Sequence, residues 1–202
     1  MGKQLIIAIG REFGSGGHEI GKILADKFGI SFYDRNILDN MFEGMEKTQE
    51  VLKQYEEKTV NPFLSRRVRG HTNSLEENLA EMQFDFIKEK ADSGESFVII
   101  GRCAESVLAN YENTIKVFIR GNQKNKIERV MKIYSLDEKE ASNKIKRHDQ
   151  SRAKYHNKYS IEKWGSSKGY DICMNSSCLG VEKTAEVIAE YVKKRKEIIG
   201  NS

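Results

Sequence analysis

The residues best suited to chemistry are Gly10-Arg11-Glu12-Phe13-Gly14-Ser15-Gly16-Gly17-His18. Glycines allow positive φ and let backbone N–H groups come close to a ligand. A helix starting directly after them adds unsatisfied N–H groups and the positive end of its dipole. Together these form an anion site, and phosphate is the anion that suits it. The phosphate-loop pattern G-x-x-x-x-G-K-[ST] is met only in part. With Gly16 as its second glycine, Arg11 stands at the first glycine, Gly17 at the lysine and His18 at the hydroxyl residue. In that pattern the lysine reaches the β/γ-phosphates and the hydroxyl ligates Mg²⁺. Gly14, Ser15, Gly16, Gly17 and His18 are expected to cradle phosphates, and Arg11 could return the missing charge from the other side of the loop. The duller alternative is a Gly-rich turn with no ligand.

The elements that must position this loop can be read from apolar runs. Leu5 to Ile9, Ile30 to Tyr33, Phe97 to Ile100, Ile115 to Ile119 and Tyr170 to Met174 read as five strands, the first of them buried. Between them lie helical stretches. Ile20, Ile23, Leu24 and Phe28 recur at helical spacing before Gly29. Ser74 with Glu77, and Asp137 with Glu140, form capping boxes. Leu75, Leu79, Met82 and Phe86 mark one helix face, and a last amphipathic helix covers Val181 to Val192. Strands alternating with helices predict an α/β fold with a five-stranded parallel sheet between helical layers. Ligands in such sheets bind beyond the carboxyl ends of the strands. Arg11 to His18, Asp34 and Gly101-Arg102 all follow predicted strands.

Composition sets bounds on function. The 202 residues fit one domain with an inserted part. At 38% hydrophobic and 32% charged, the chain has enough apolar residues for a core under a highly charged surface. A net charge of +4 suits a small anionic ligand and is too small to argue for nucleic acid. Cys103, Cys173 and Cys178 form neither a disulfide framework nor a metal spacing, so a cytoplasmic location is expected. No apolar run reaches the roughly 20 residues of a membrane span, so no membrane partner is expected.

The stretch Arg11-Glu12-Phe13-Gly14-Ser15-Gly16-Gly17 resembles the cytidylate kinase-like family of bacterial proteins. Phe32-Tyr33-Asp34, Gly101-Arg102-Cys103-Ala104, and Tyr170-Asp171 through Asn175-Ser176 continue the resemblance over most of the chain. It implies one P-loop NTPase-like kinase domain over residues 1–202. The core would be 1–35, 96–146 and 165–202. A helical acceptor-binding insertion would span 36–95, and a lid 147–164. The activity implied is transfer from ATP, with Mg²⁺, to a (d)CMP-like monophosphate. The loop's departures leave two alternatives: a nucleotide-binding regulatory protein, or a kinase for another small molecule.

The resemblance also assigns roles. Arg102 would clamp the acceptor phosphate, and Asp34 would stand at the mouth of the acceptor site. Arg147, Asp149 and Arg152 resemble a lid's arginine and aspartate pattern: Arg147 and Arg152 would neutralise the transferring group, and Asp149 would lie on the acceptor side. Gln83 could read a base edge. Bulkier duties compete with these, such as an N-cap at Asp34 or a structural ion pair at Arg102. Cytidylate kinases carry acids beside the Gly-Arg pair, where this chain has Ile100 and Cys103. Glu105 is then the nearby candidate for a metal, and no ligand set is certain. Arg66, Arg67 and Arg69 form a basic cluster that could capture an anion or simply be solvated.

Overall fold

The structure is a computed structural model and describes residues 4–34 and 75–200. Most of the expected insertion, with Ser74 and the arginines at 66, 67 and 69, lies outside the described residues. The elements in chain order are β1 (Ile6–Arg11), α1 (Gly17–Phe28), β2 (Ser31–Tyr33), α2 (Leu75–Asp92), β3 (Phe97–Ile100), α3 (Ala104–Val107), β4 (Thr114–Arg120), α4 (Gln123–Tyr134), α5 (Glu138–Tyr159), β5 (Ile172–Asn175) and α6 (Gly180–Gly200). Short 3₁₀ turns at Ser167–Gly169 and Ser176–Cys178 flank β5.

The five strands form one parallel sheet in the order β2-β3-β1-β4-β5. Its registers pair Ile9 with Ile100 and with Val117 across the central strand. Strands β1 and β3 are buried on both faces, which is why they read as unbroken apolar runs. Alternation sorts their side chains. Ile7, Ile9, Val98 and Ile100 face Ile20 and Leu24 of α1 and Ile188 and Val192 of α6. Ile6, Ala8, Phe97 and Ile99 face Ile87 and Ala91 of α2 and Ala104 and Leu108. The result is the expected three-layer α/β/α arrangement. Each fully buried isoleucine contributes about 1.5–3 kcal/mol, so these two faces dominate the stability.

Two details differ from the sequence expectation. On α2 the buried line runs through Ala80, Gln83, Ile87 and Ala91, with Met82 buried beside it and Phe86 only partly buried. The alanines define the buried face, and Leu79 is only partly buried. Helix α5 also runs unbroken to Tyr159, through most of the expected lid. It starts at the predicted capping box: Glu140 N donates to Asp137 Oδ1 at 2.7 Å and Asp137 N to Glu140 Oε2 at 3.0 Å.

A third apolar cluster joins α4 and α5. Val130, Ala141 and Ile145 form its buried centre, and Phe13 from the loop packs against it. The turn between these helices carries Ser135 in the left-handed region, with φ 53° and ψ 45°. No helix among the described residues is long and apolar enough to cross a membrane. Ser135 is exposed, so its backbone strain can be tested without disturbing packing. Replacing Ser135 by Gly is expected to stabilise the protein by about 0.5–1 kcal/mol. Thermal unfolding should then shift upward by about 1–4 °C, and a fall in midpoint would contradict the strain argument.

Candidate functional site

The loop from Glu12 to Gly16 lies between β1 and α1, at the carboxyl end of the central strand. Gly14 and Gly16 have φ of 81° and 76°, which side-chain-bearing residues rarely adopt. Gly16 is also the N-cap of α1, so the first N–H groups of that helix follow it directly. Ser15 is buried; its Oγ donates to the Glu12 carbonyl at 2.8 Å, and its own carbonyl accepts from Ser176 Oγ at 2.6 Å. The sequence motif near Asn175-Ser176 is therefore a brace for the loop.

A buried charge network fixes the other side of the loop. Lys126 of α4 has a side chain only 7% exposed, and its Nζ lies 3.0 Å from Glu12 Oε2 and 3.5 Å from Asp149 Oδ2. Glu12 Oε2 also accepts from Gly121 N at 3.0 Å. Asp149 Oδ1 accepts from Phe13 N at 2.6 Å. The Phe13 ring stacks on His148 at 4.2 Å, and Arg152 lies 5.4 Å from its centroid. Arg152 Nη1 donates to the Arg11 carbonyl at 3.2 Å. Thus Asp149 and Arg152 meet the loop backbone. Arg147 does not: it is exposed and shares an open hollow with Leu136, Glu140, Asn143 and Lys144. The five-residue interval between the two arginines on one helix separates them by about 140°.

The side chain of Arg11 takes an unusual course. It leaves the end of β1 and crosses the start of α1. A Cβ built on Gly17 would stand 2.6 Å from Arg11 Cβ and 3.1 Å from its Cγ. The guanidinium then reaches Gly101, where an added Cβ would overlap Nη1. Gly101, Arg102 and Cys103 follow β3 with φ of 76°, 58° and 53°, three left-handed residues in succession. Each of the two non-glycines pays about 1–3 kcal/mol for that conformation. The turn sets Arg102 5.5 Å from the Tyr155 ring on α5. Burial pushes the Tyr155 hydroxyl up to about 12, partly offset by the Arg102 charge. Burial also pushes the Cys103 thiol up to about 12, which leaves it protonated and inert at neutral pH.

The remaining expected residues are placed as follows. His18 Nε2 lies 2.8 Å from Asp34 Oδ2, with His18 exposed and Asp34 buried. The two are joined, and the pair links the start of α1 to the end of β2. Gln83 is buried at 3% exposure on the inner face of α2. Glu105 is buried as well, and its Oε1 meets His156 Nε2 at 2.6 Å and accepts from Ser106 Oγ at 3.2 Å. Among the described residues no group of three or more His, Cys, Asp or Glu side chains could hold a metal ion. Magnesium prefers oxygen ligands and, on a nucleotide, needs only one or two from the protein. Asp34 supplies a carboxylate near the loop, but the imidazole of His18 does not replace the pattern's hydroxyl. The loop backbone fits a phosphate group; among the described residues no side chain stands in for the pattern's Mg²⁺-ligating hydroxyl.

Two contributors escaped the sequence reading: Lys126 and Arg129. Arg129 of α4 pairs with Glu19 of α1 and stands 3.5 Å from where a Cβ on Gly16 would lie. Nothing in the local pattern marks Lys126 or Arg129, which sit in a charged helix like many surface residues.

A parallel sheet with this loop at its central strand defines a P-loop kinase-like fold. The chain belongs to the cytidylate kinase-like family, whose model matches residues 6–178. It is similar to an uncharacterized protein from Eubacterium ventriosum, at 38% identity and TM-score 0.75, covering 94% of this chain and 99% of that one. At the level of fold it is similar to a shikimate kinase from Bacteroides thetaiotaomicron (14% identity, TM-score 0.52, 94% of this chain and 98% of that one). A gluconokinase from Sinorhizobium meliloti shares the fold similarly (11% identity, TM-score 0.55, 98% and 97%). The sequence finds no match among curated proteins.

The network around Asp149 makes a pH prediction. Burial raises the Asp149 pKa, and the opposing Phe13 N–H, Lys126 and Arg152 do not fully cancel it. A carboxyl with a raised folded pKa binds its proton more tightly when folded, so it subtracts stability at neutral pH. That subtraction is relieved as pH falls through the raised value towards the unfolded one. Wild type should therefore gain on Asp149→Asn in urea unfolding between about pH 7 and about pH 4. A stability difference that stays flat across that range would show that the partners fully balance the burial.

Proposed function

We propose that the protein is a phosphotransferase that takes the terminal phosphoryl group of ATP, with Mg²⁺, to a small acceptor of the (d)CMP kind. The observation that carries this is the loop itself. Two left-handed glycines and the start of α1 present backbone N–H groups at the carboxyl end of a parallel sheet. Membership of the cytidylate kinase-like family supports a phosphoryl reaction and suggests a cytidine monophosphate. Such reactions depend on positioning and charge stabilisation more than on covalent steps.

In this reading Gly14 to His18 hold the donor phosphates. Arg102, which the left-handed turn delivers beyond β3, clamps the acceptor's anionic group with a bidentate fork. Asp34 and Gln83 belong to the acceptor side. Arg152, already against the loop, neutralises developing charge; Arg147 would have to act from an exposed position. Asp149 acts as a support of the loop. A second reading is a regulatory protein that binds nucleotide without transfer. The lysine position held by Gly17 favours it, because losing one charge-stabilising donor can cost about 10²–10³ in rate.

An ATP-dependent turnover screen against CMP, dCMP, UMP, AMP and GMP, with calorimetric nucleotide binding on the same protein, separates these. Turnover of one monophosphate is expected, at roughly 1–100 s⁻¹. Arg102→Lys should raise the acceptor KM by about 10-fold to 100-fold with a smaller change in kcat. Binding without turnover of any acceptor would establish the regulatory reading. Folded protein that neither binds nor turns over nucleotide would sink both.

A further inference from the structure

We infer that Arg11 is the phosphate-facing cation of this loop, and that Gly17 is glycine because Arg11 fills the space a lysine there would need. This rests on the nucleotide-binding reading above and names the residue that makes an altered loop competent. The usual pattern has a residue without a side chain at its first position and a lysine at its seventh. Here the two are exchanged: Arg11 stands first and Gly17 seventh.

The geometry makes the exchange obligatory. A Cβ on Gly17 would lie 2.6 Å from Arg11 Cβ, well inside contact distance. Both atoms are fixed to backbone. Arg11 is at the end of a strand paired through Ile119, and Gly17 begins α1. Neither can swing aside as the end of a long side chain would. Ile119 closes the remaining space, 3.3 Å from the same point. So the fold accepts a side chain at one of the two positions and not at both.

The path of the side chain supports the charge assignment. The Arg11 stem runs over Gly17, and the guanidinium arrives over Gly101, whose φ of 76° itself favours glycine. Gly101 adjoins Arg102. The cation is thus carried from the strand side to a place beyond the ends of β1 and β3, next to the arginine assigned to the acceptor. Arg152 donates to the Arg11 carbonyl and holds the backbone from which the side chain departs. A guanidinium offers several donors in a fixed fork, so it can span two phosphate oxygens where an ammonium acts as a point charge.

The substitutions Arg11→Gly and Gly17→Lys together write Gly-Glu-Phe-Gly-Ser-Gly-Lys into the loop, which satisfies the first seven positions of the pattern. The test compares wild type, each single variant, the double variant and Arg11→Met. Binding of a non-hydrolysable ATP analogue with MgCl₂ is measured by calorimetry, and thermal unfolding is measured without nucleotide. Arg11→Met keeps the stem and removes the charge; the variant should still unfold cooperatively and should weaken the analogue about 10-fold to 100-fold. Gly17→Lys alone should lower the midpoint and not tighten binding. The double variant should recover the midpoint and most of the lost affinity.

Arg11→Met binding as tightly as wild type would overturn the charge assignment. A double variant no better than Arg11→Gly, or a Gly17→Lys variant as stable as wild type, would overturn the steric exchange. Wild type that binds no nucleotide would overturn the functional reading and with it the role of the charge. The steric half then stands or falls on Gly17→Ala, which should lower the midpoint beside Arg11 and do so far less beside Arg11→Gly.

Discussion

The structure around the loop depends on one buried ammonium ion. Lys126 is held between Glu12 and Asp149, and its side chain is almost closed to solvent. Burying an unpaired charge is prohibitive, and a buried pair with one member removed is strongly destabilising. The three groups must therefore meet, and in meeting they fix three separate pieces of chain: the end of β1, the first turns of α4 and the middle of α5. The spare acceptor capacity of the carboxylates goes to backbone N–H groups at Gly121 and Phe13. Those bonds set the loop's course on one side, and Ser176 sets it on the other. The glycines permit the loop's shape; the network selects it.

The second half of the site is held by strain and by neighbours on α5. The left-handed run from Gly101 to Cys103 survives because Cys103 and Ala104 are buried and Glu105 is locked to His156. Tyr159 packs edge-on to Phe84, and Lys158 pairs with Glu77 at 2.6 Å, so the far end of α5 also reaches α2. One helix thus touches the loop after β1, the turn after β3 and α2.

The central strands were legible in the sequence because strands buried on both faces are continuous apolar runs, and the parallel pairing followed from their alternation with helices. The Asp137–Glu140 cap was legible because both partners are three residues apart. The supports of the site were not. Lys126 meets Glu12 across 114 residues of sequence, and His156 meets Glu105 across 51. Such pairings carry no local signal, and each residue alone resembles a solvated one. The mid-helix stretch of α5 is so polar that its buried apolar side chains shrink to Ala141 and Ile145, and no local pattern marks which of Arg147 and Arg152 turns inward. The Arg11-Gly17 exchange was visible as a mismatch to a pattern, but its cause is a distance between two atoms on different elements.

Helix α5 also restricts how the sequence can change length. Asp149 and Arg152 serve the loop, while Tyr155 and His156 serve the turn after β3, and only a few residues separate the two sets. Adding or deleting one residue between them would turn everything beyond by about 100° around the helix axis and shift it by about 1.5 Å. No side-chain rotamer could restore both sets of contacts at once. Substitutions can accumulate along the outer face of this helix, but its stretch from 149 to 156 behaves as a ruler whose length is set by the distance between its two duties.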